Sequence, residues 1–245
     1  MTLENRTAIV TGASRGLGRA TALRLAHAGA RVAVIDIDRE GLEEVSSAIV
    51  AGGGEASVLV VDITKKTDVE AAVADILSTF GHIDILVNNA GSGWHRPAPF
   101  NDTPYEEWEW ILDLNLRGTL YVTHAVIGHM VERRYGKIVN IASIAATTGI
   151  PNLAVYSASK GALVAFTKSL AMELGPHNIN VNCVSPGLIA TETVAPPTNG
   201  TFLGRKGTAG EMASLIEYMV SDDASFITGA DYLIDGGRTL GPRGV

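Results

Sequence analysis

A doubly wound α/β fold is what this sequence predicts: a parallel sheet of about seven strands with helices on both faces. Three observations carry that expectation. Short apolar runs alternate with amphipathic stretches along the chain, a glycine-rich turn (T-G-A-S-R-G-L-G) separates the first run from the first helical pattern, and no repeat or low-complexity linker interrupts the alternation. The chain has 245 residues, a size that doubly wound sheets reach as one unit, so residues 1–245 are expected to form one domain.

The strand candidates, in order, are Thr7–Val10, Arg31–Ile35, Ser57–Val61, Ile83–Asn88, Lys137–Ile141, Asn180–Val184 and Tyr232–Ile234. Each is short and rich in Val, Ile or Leu, as strands buried on both faces are. Helical periodicity fills the intervals over Gly16–Ala28, Arg39–Ala51, Lys66–Phe80, Pro104–Arg133 and Ala154–Leu174. A strand, a crossover helix and a further strand, repeated, build a parallel sheet.

Composition excludes several classes of partner. Hydrophobic residues make up 46% and charged residues 18%, which suits a packed core. The net charge of −7 offers no basic field for nucleic acid or an anionic membrane. The opening residues, M-T-L-E-N-R-T-A-I-V, lack a secretory pattern, and no apolar run is long enough to span a bilayer, so a cytoplasmic protein is expected. Cys183 is the only cysteine and lies in the apolar N-V-N-C-V, so a buried, inert thiol is expected. The six histidines show no H-x-x-x-H or H-E-x-x-H spacing, and no catalytic metal is expected.

Gly12, Gly16 and Gly18 occupy the first strand-to-helix turn. Glycines there let the backbone turn tightly and approach a pyrophosphate, whose charge meets the helix N-terminus. The spacing is G-x-x-x-G-x-G, not G-x-G-x-x-G, and alone it also fits an ordinary turn. Asp36 ends the second strand, V-A-V-I-D. A carboxylate there accepts hydrogen bonds from both ribose hydroxyls of NAD and repels the 2′-phosphate of NADP. Alternatively it is one surface acid among the charges of I-D-I-D-R-E, and Arg15 is placed to clamp a 2′-phosphate. The repulsion argument favours NAD, with NADP as the alternative.

With these landmarks the chain resembles the short-chain dehydrogenase/reductase family, in its compact single-domain branch. The resemblance runs from T-G-A-S-R-G-L-G to the C-terminal D-G-G. Its landmarks are Asp62, N-N-A-G at Asn88–Gly91, Asn115 in L-N-L, Ser143, the pair in Y-S-A-S-K (Tyr156 and Lys160), and S-P-G-L-I-A-T at Ser185–Thr191. It implies a Rossmann-like fold binding NAD(H) through Gly12, Ser14, Arg15, Gly16, Leu17, Gly18, Asp36, Ile37, Asp62 and Ile63. It adds Asn89, Ala90 and Gly91 behind the cofactor, and Pro186, Gly187, Ile189 and Thr191 beside the nicotinamide. Asp62 is implied as the acceptor of the adenine amine. The resemblance also implies a homotetramer built through the long central helices and the C-terminal strand region.

The chemistry follows from the residue types. A free tyrosine has a pKa of about 10, too high for a base at neutral pH. Lys160 lies one helical turn beyond Tyr156, on the same face, and its charge is expected to lower that pKa. Tyr156 then acts as general base in alcohol oxidation or general acid in carbonyl reduction. Ser143 can hydrogen-bond the substrate oxygen. The resemblance adds that Lys160 also holds the nicotinamide ribose and that Asn115 supports a water in a proton relay. In isolation, Y-x-x-x-K is an ordinary helix-surface pair; Ser143 and Asn115 in order argue against that.

Substrate contacts are expected from Trp94, Ser143, Ala145, Asn152, Tyr156 and Leu188. Trp94 either stacks on a substrate ring or packs at the surface. The segment at about 191–204 departs from the family's longer helical lid; V-A-P-P-T-N-G-T predicts a short loop. Trp108 and Trp110, two apart on a helix, are expected on different faces, one packing and one reaching an interface. The leading expectation is an NAD(H)-dependent secondary alcohol dehydrogenase acting on a small cyclic or aryl substrate. The alternatives are an NADPH-dependent 3-oxoacyl thioester reductase (acyl carrier protein or CoA) and a non-catalytic NAD-binding sensor.

Overall fold

The computed structural model describes residues 2–92, 97–190 and 197–241. Seven parallel strands form the main sheet: β1 (Thr7–Thr11), β2 (Arg31–Asp36), β3 (Glu55–Val60), β4 (Ile85–Asn88), β5 (Gly136–Ile141), β6 (Ile179–Pro186) and, at the far edge, β9 (Asp231–Ile234). Their spatial order is β3-β2-β1-β4-β5-β6-β9. A two-stranded pair, β7 (Ile189–Ala190) with β8 (Gly207–Thr208), stands apart from it. The helices are α1 (Gly16–His27), α2 (Arg39–Ala51), α3 (Lys66–Phe80), α4 (Tyr105–Leu112), α5 (Gly118–Arg133), α6 (Ala145–Thr148), α7 (Ala154–Leu174) and α8 (Ala209–Val220).

The period-two alternation of each strand divides the core between the two faces of the sheet. Ala8 and Val10 of β1 pack with Leu25 of α1, Val45 of α2 and Met212 of α8. Ile9, between them, turns to the other face and joins Ile76 of α3, Val126 of α5 and Leu170 of α7. Helices therefore cover both faces, and an ion pair from the half-exposed Arg24 to the buried Glu217 ties α1 to α8. The strand order reverses between β1 and β4, which opens a crevice at their C-terminal ends, where doubly wound sheets take their ligands.

Two elements differ from the sequence expectation. The helix expected over Pro104–Arg133 is broken in the middle: a π-helical turn over Asp113–Arg117 separates α4 from α5. Periodicity over a long window does not register one wider turn, and such turns are common at functional sites. Helix α8 was not expected at all. Its start carries a capping box, with Thr208 Oγ1 accepting from the Glu211 N–H (3.1 Å) and Glu211 accepting from the Thr208 N–H (2.8 Å).

Candidate active site

A cleft of about 870 Å³ runs along the C-terminal ends of β1, β2, β3 and β4. Of the expected cofactor contacts, Gly12, Ser14, Arg15, Leu17, Asp36, Ile37, Asp62, Ile63, Asn89, Ala90, Gly91, Tyr156, Lys160 and Pro186 line it. Gly16 and Gly18 shape the turn from behind. Gly16 takes φ +56°, and a Cβ on Gly18 would sit 2.0 Å from the Gly12 carbonyl oxygen, so α1 can press against the turn only with glycine there. Gly187 and Ile189 continue the chain beyond Pro186; a Cβ on Gly187 would lie 2.7 Å from Asp235 Cβ, and Ile189 pairs with Gly207. Thr191 and Trp94 lie outside the described residues.

At the β2 end, the Asp36 carboxylate is held on both oxygens. Oδ2 accepts from the Ser14 N–H (3.2 Å) and hydroxyl (2.7 Å), and Oδ1 from the N–H groups of Ile37 (2.7 Å) and Asp38 (3.2 Å). Only the Ser14 hydroxyl can rotate away to let another donor in. At the β3 end, Asp62 Oδ1 accepts from the Thr64 N–H (3.0 Å) and hydroxyl (2.7 Å). Partial burial pulls the Asp62 pKa up, but the Thr64 hydrogen bonds and the Lys65 charge outweigh it and leave it below the usual carboxylate range. Behind the cleft, Thr11 Oγ1 accepts from the N–H groups of Asn89 and Ala90 (3.0 Å each), and Asn89 Nδ2 donates to the carbonyls of Thr11 (2.9 Å) and Gly12 (3.1 Å). These bonds lock N-N-A-G against the glycine turn.

The four expected catalytic side chains converge at the other end. Lys160 is buried, and its Nζ donates to the Ile141 carbonyl (2.8 Å) and lies 5.9 Å from the Tyr156 ring centre. Burial pushes its pKa down to about 8. A Cβ on Gly91 would lie 3.2 Å from Lys160 Nζ and 2.9 Å from Asn115 Oδ1, so glycine is what allows the three to meet. Asn115, on the π-helical turn, accepts from the Ser92 N–H (2.8 Å) and donates to the Ser92 carbonyl (2.9 Å) and to Ser159 Oγ (3.1 Å). Ser143 Oγ accepts from the Ala145 N–H (3.1 Å) and shares a hydrogen bond with the Tyr156 side chain. Tyr156 departs from expectation. Burial raises its pKa above 10, opposed by the Ser143 hydrogen bond, and the ammonium of Lys160 is not among the influences that lower it.

The remaining expected residues scatter more widely. Ala145 is fully buried and serves Ser143 through its N–H. Asn152 takes the left-handed conformation (φ +65°) and borders, with Tyr156, a small separate cavity. Leu188 packs toward Gly200, where an added Cβ would sit 2.7 Å from Leu188 Cδ1. Trp108 stacks on Phe100 (ring centres 4.7 Å apart) and meets Tyr105 edge-on, whereas Trp110 lines the cleft. Ser159, and in the cleft wall Trp110, Asp113, Leu114, Ile141 and Ala142 among others, are residues the sequence did not reveal; the signal for Trp110 was its helix position, which alone does not say what faces it. Cys183 is buried as expected, and burial pushes its thiol up to about 12. Among the described residues there is no cluster able to hold a metal ion, and no helix long and apolar enough to cross a membrane.

The family model described as enoyl-(acyl carrier protein) reductase matches residues 12–239. The (2S)-[(R)-hydroxy(phenyl)methyl]succinyl-CoA dehydrogenase subunit BbsD of Thauera aromatica is 39% identical, the alignment covering 98% of this chain and 99% of that one. Cyclopentanol dehydrogenase of Comamonas testosteroni is 38% identical over 97% of this chain and 98% of its own. Other relatives are 3-oxoacyl-[acyl-carrier-protein] reductases. The solved structure of NAD+-bound xylitol dehydrogenase superposes with a TM-score of 0.90 at 33% identity, covering 97% of this chain and 100% of that one. With the glycine turn, the doubly wound sheet and the Ser143–Tyr156–Lys160 arrangement in place, this chain belongs to the short-chain dehydrogenase/reductase family of oxidoreductases.

Proposed function

We propose that the chain, acting as one domain, interconverts a small cyclic or aryl secondary alcohol and its ketone with NAD(H), using Tyr156 as general acid/base. The observation that carries this reading is the meeting of Ser143, Tyr156, Lys160 and Asn115 at one end of a cleft whose other end is held by Asp36. The cleft fits a dinucleotide in size and in its donors and acceptors. Asp36 would take the adenosine ribose, with Ser14 yielding its hydroxyl; the start of α1 would take the pyrophosphate, and Lys160 the nicotinamide ribose. NAD supplies the hydride acceptor, and its oxidised ring brings a positive charge to this end of the cleft.

In the direction of oxidation, Ser143 Oγ holds the substrate oxygen and Tyr156 removes its proton. Tyr156 needs help to do so, because burial raises its pKa. The positive charge of the oxidised nicotinamide ring would be that help, while Lys160 would hold the nicotinamide ribose. Asn115, on the π-helical turn, is tied to Ser92 and Ser159 close to Lys160, and a water held between them would carry the proton outward. In reduction the same tyrosine returns the proton.

The cyclic and aryl preference is supported by relatives named for cyclopentanol and for a phenyl-bearing substrate. A second reading, reduction of a 3-oxoacyl thioester with NADPH, is favoured by the name of the family model and by the acyl-carrier-protein reductases among the relatives. We further propose a cytoplasmic homotetramer with small-molecule partners only, testable by light scattering. The deciding experiment is initial rates on cyclopentanol, 1-phenylethanol and 2-butanol with NAD and with NADP, alongside reduction of acetoacetyl-CoA. Fastest turnover of the ring alcohols with NAD is expected. Activity confined to NADPH and the thioester would transfer the assignment to the second reading.

A further inference from the structure

A second cavity, of about 350 Å³, opens beside the reacting end of the cleft, lined in part by Ile144, Thr148, Gly200, Thr201, Arg238 and Thr239. It adjoins the catalytic residues through the chain itself. Ile144 follows Ser143, Thr148 ends α6, and the Ile144 N–H is tied to the Pro186 carbonyl (3.1 Å). Its far wall is the segment after residue 197, fastened to the C-terminal turn. The N–H groups of Phe202 (2.9 Å) and Leu203 (3.2 Å) donate to the Gly236 carbonyl, and Thr201, only 2% exposed, donates to the Arg205 carbonyl (2.8 Å).

Arg238 is the charged group among the described residues that line this cavity. Its Nη1 donates to the Gly200 carbonyl (3.0 Å), and a Cβ at Gly200 would sit 2.7 Å from that nitrogen, so glycine is needed for the guanidinium to lie where it does. The nearest acid in sequence, Asp235, forms no ion pair with it; its two oxygens accept from the N–H groups of Gly237 and Thr239 (2.8 Å each). The contrast is Arg205, whose guanidinium is paired with both oxygens of Glu211. An arginine carries five N–H donors in a planar fork that matches a carboxylate, and Arg238 commits one of them to a described acceptor. The Thr239 hydroxyl adds a donor, and the Ile144 side chain an apolar wall.

We propose that this cavity is a specificity subsite of the same active site, taking a carboxylate that the substrate carries away from its reacting hydroxyl. The proposal rests on the alcohol-oxidising reading above and narrows its substrate class to ring alcohols bearing an acidic group. The guanidinium fork binds the carboxylate, while the ring spans from Arg238 toward Ser143 along Ile144 and Leu188.

The test compares 3-hydroxycyclohexanecarboxylate with its methyl ester as substrates, with NAD, in the wild-type chain and in Arg238→Gln. The wild type is expected to favour the acid by about tenfold or more in kcat/KM, chiefly through KM, and Arg238→Gln to bring the ratio close to one. Equal use of acid and ester by the wild type, or an undiminished ratio in the variant, overturns the proposal. Calorimetric binding of cyclohexanecarboxylate, which cannot react, separates this claim from the activity assignment. Binding lost in Arg238→Gln supports the subsite even if no alcohol is oxidised. No binding to the wild type overturns it even if cyclopentanol is turned over, and Arg238→Lys, keeping charge but losing the fork, should bind with intermediate strength.

Discussion

Asn115 Nδ2 donates to Ser159 Oγ over 3.1 Å, and that hydroxyl in turn donates to the Tyr156 carbonyl over 2.7 Å. Both side chains are fully buried. Ser159 thus joins the π-helical turn to the first turns of α7.

Ser159→Ala should therefore cost more than its size suggests. It leaves one Asn115 N–H without its acceptor, a loss worth about 1–3 kcal/mol in a buried setting. A lower urea midpoint is expected, together with a fall in kcat larger than any change in the KM for NAD. An unchanged midpoint and unchanged kcat would show that the bridge does nothing.

Asp36→Ala removes the carboxylate that a 2′-phosphate would meet. The ratio of kcat/KM for NAD over NADP should fall by at least tenfold, about 1.4 kcal/mol of discrimination. An unaltered ratio would mean that selection lies elsewhere, with Arg15 the next residue to substitute.

Gly18→Ala places a methyl group 2.0 Å from the Gly12 carbonyl oxygen, which also accepts from Asn89 Nδ2. Neither the carbonyl nor the turn can retreat without breaking N-N-A-G away from β1. NADH binding, followed by fluorescence titration, should weaken at least a hundredfold. Retained affinity would show that the turn is softer than its contacts indicate.

Lys160 makes a prediction about pH. Its folded pKa, about 8, lies below the ordinary lysine value of 10.5, so between those values the unfolded chain binds the extra proton. Stability contributed by this group therefore rises with pH across that window, and below it the full cost of burying the charge is present. Lys160→Met lacks the group, so its stability relative to the wild type should decline between about pH 8 and 10.5. A constant difference across the window, measured by urea unfolding, would contradict the assigned burial.

Much of this was legible in the sequence because strands buried on both faces and a glycine turn between strand and helix leave local signatures. Asp36, Asn89, Tyr156 and Lys160 fall where their motifs place them, lining one cleft. The π-helical turn left no mark, because Asp113–Arg117 (D-L-N-L-R) continues the helical composition on either side and only the backbone winding changes. For helix α8 the local signal is the capping box of T-A-G-E, from Thr208 to Glu211, which marks a helix start without saying how far the helix runs. The Tyr156 pKa could not be read from spacing. A four-residue step puts Lys160 on the same face but does not report that both groups are buried, and burial opposes the charged form of each. Ser159 and Arg238 gained meaning only from what the fold brings to them.

The central claim is that Tyr156 moves the proton, and Tyr156→Phe tests it most directly. The measurement is NADH affinity together with the single-turnover rate of ring-alcohol oxidation. Near-normal NADH binding with a rate at least a thousandfold lower is expected. A rate within tenfold of the wild type, with NADH still bound, would contradict it.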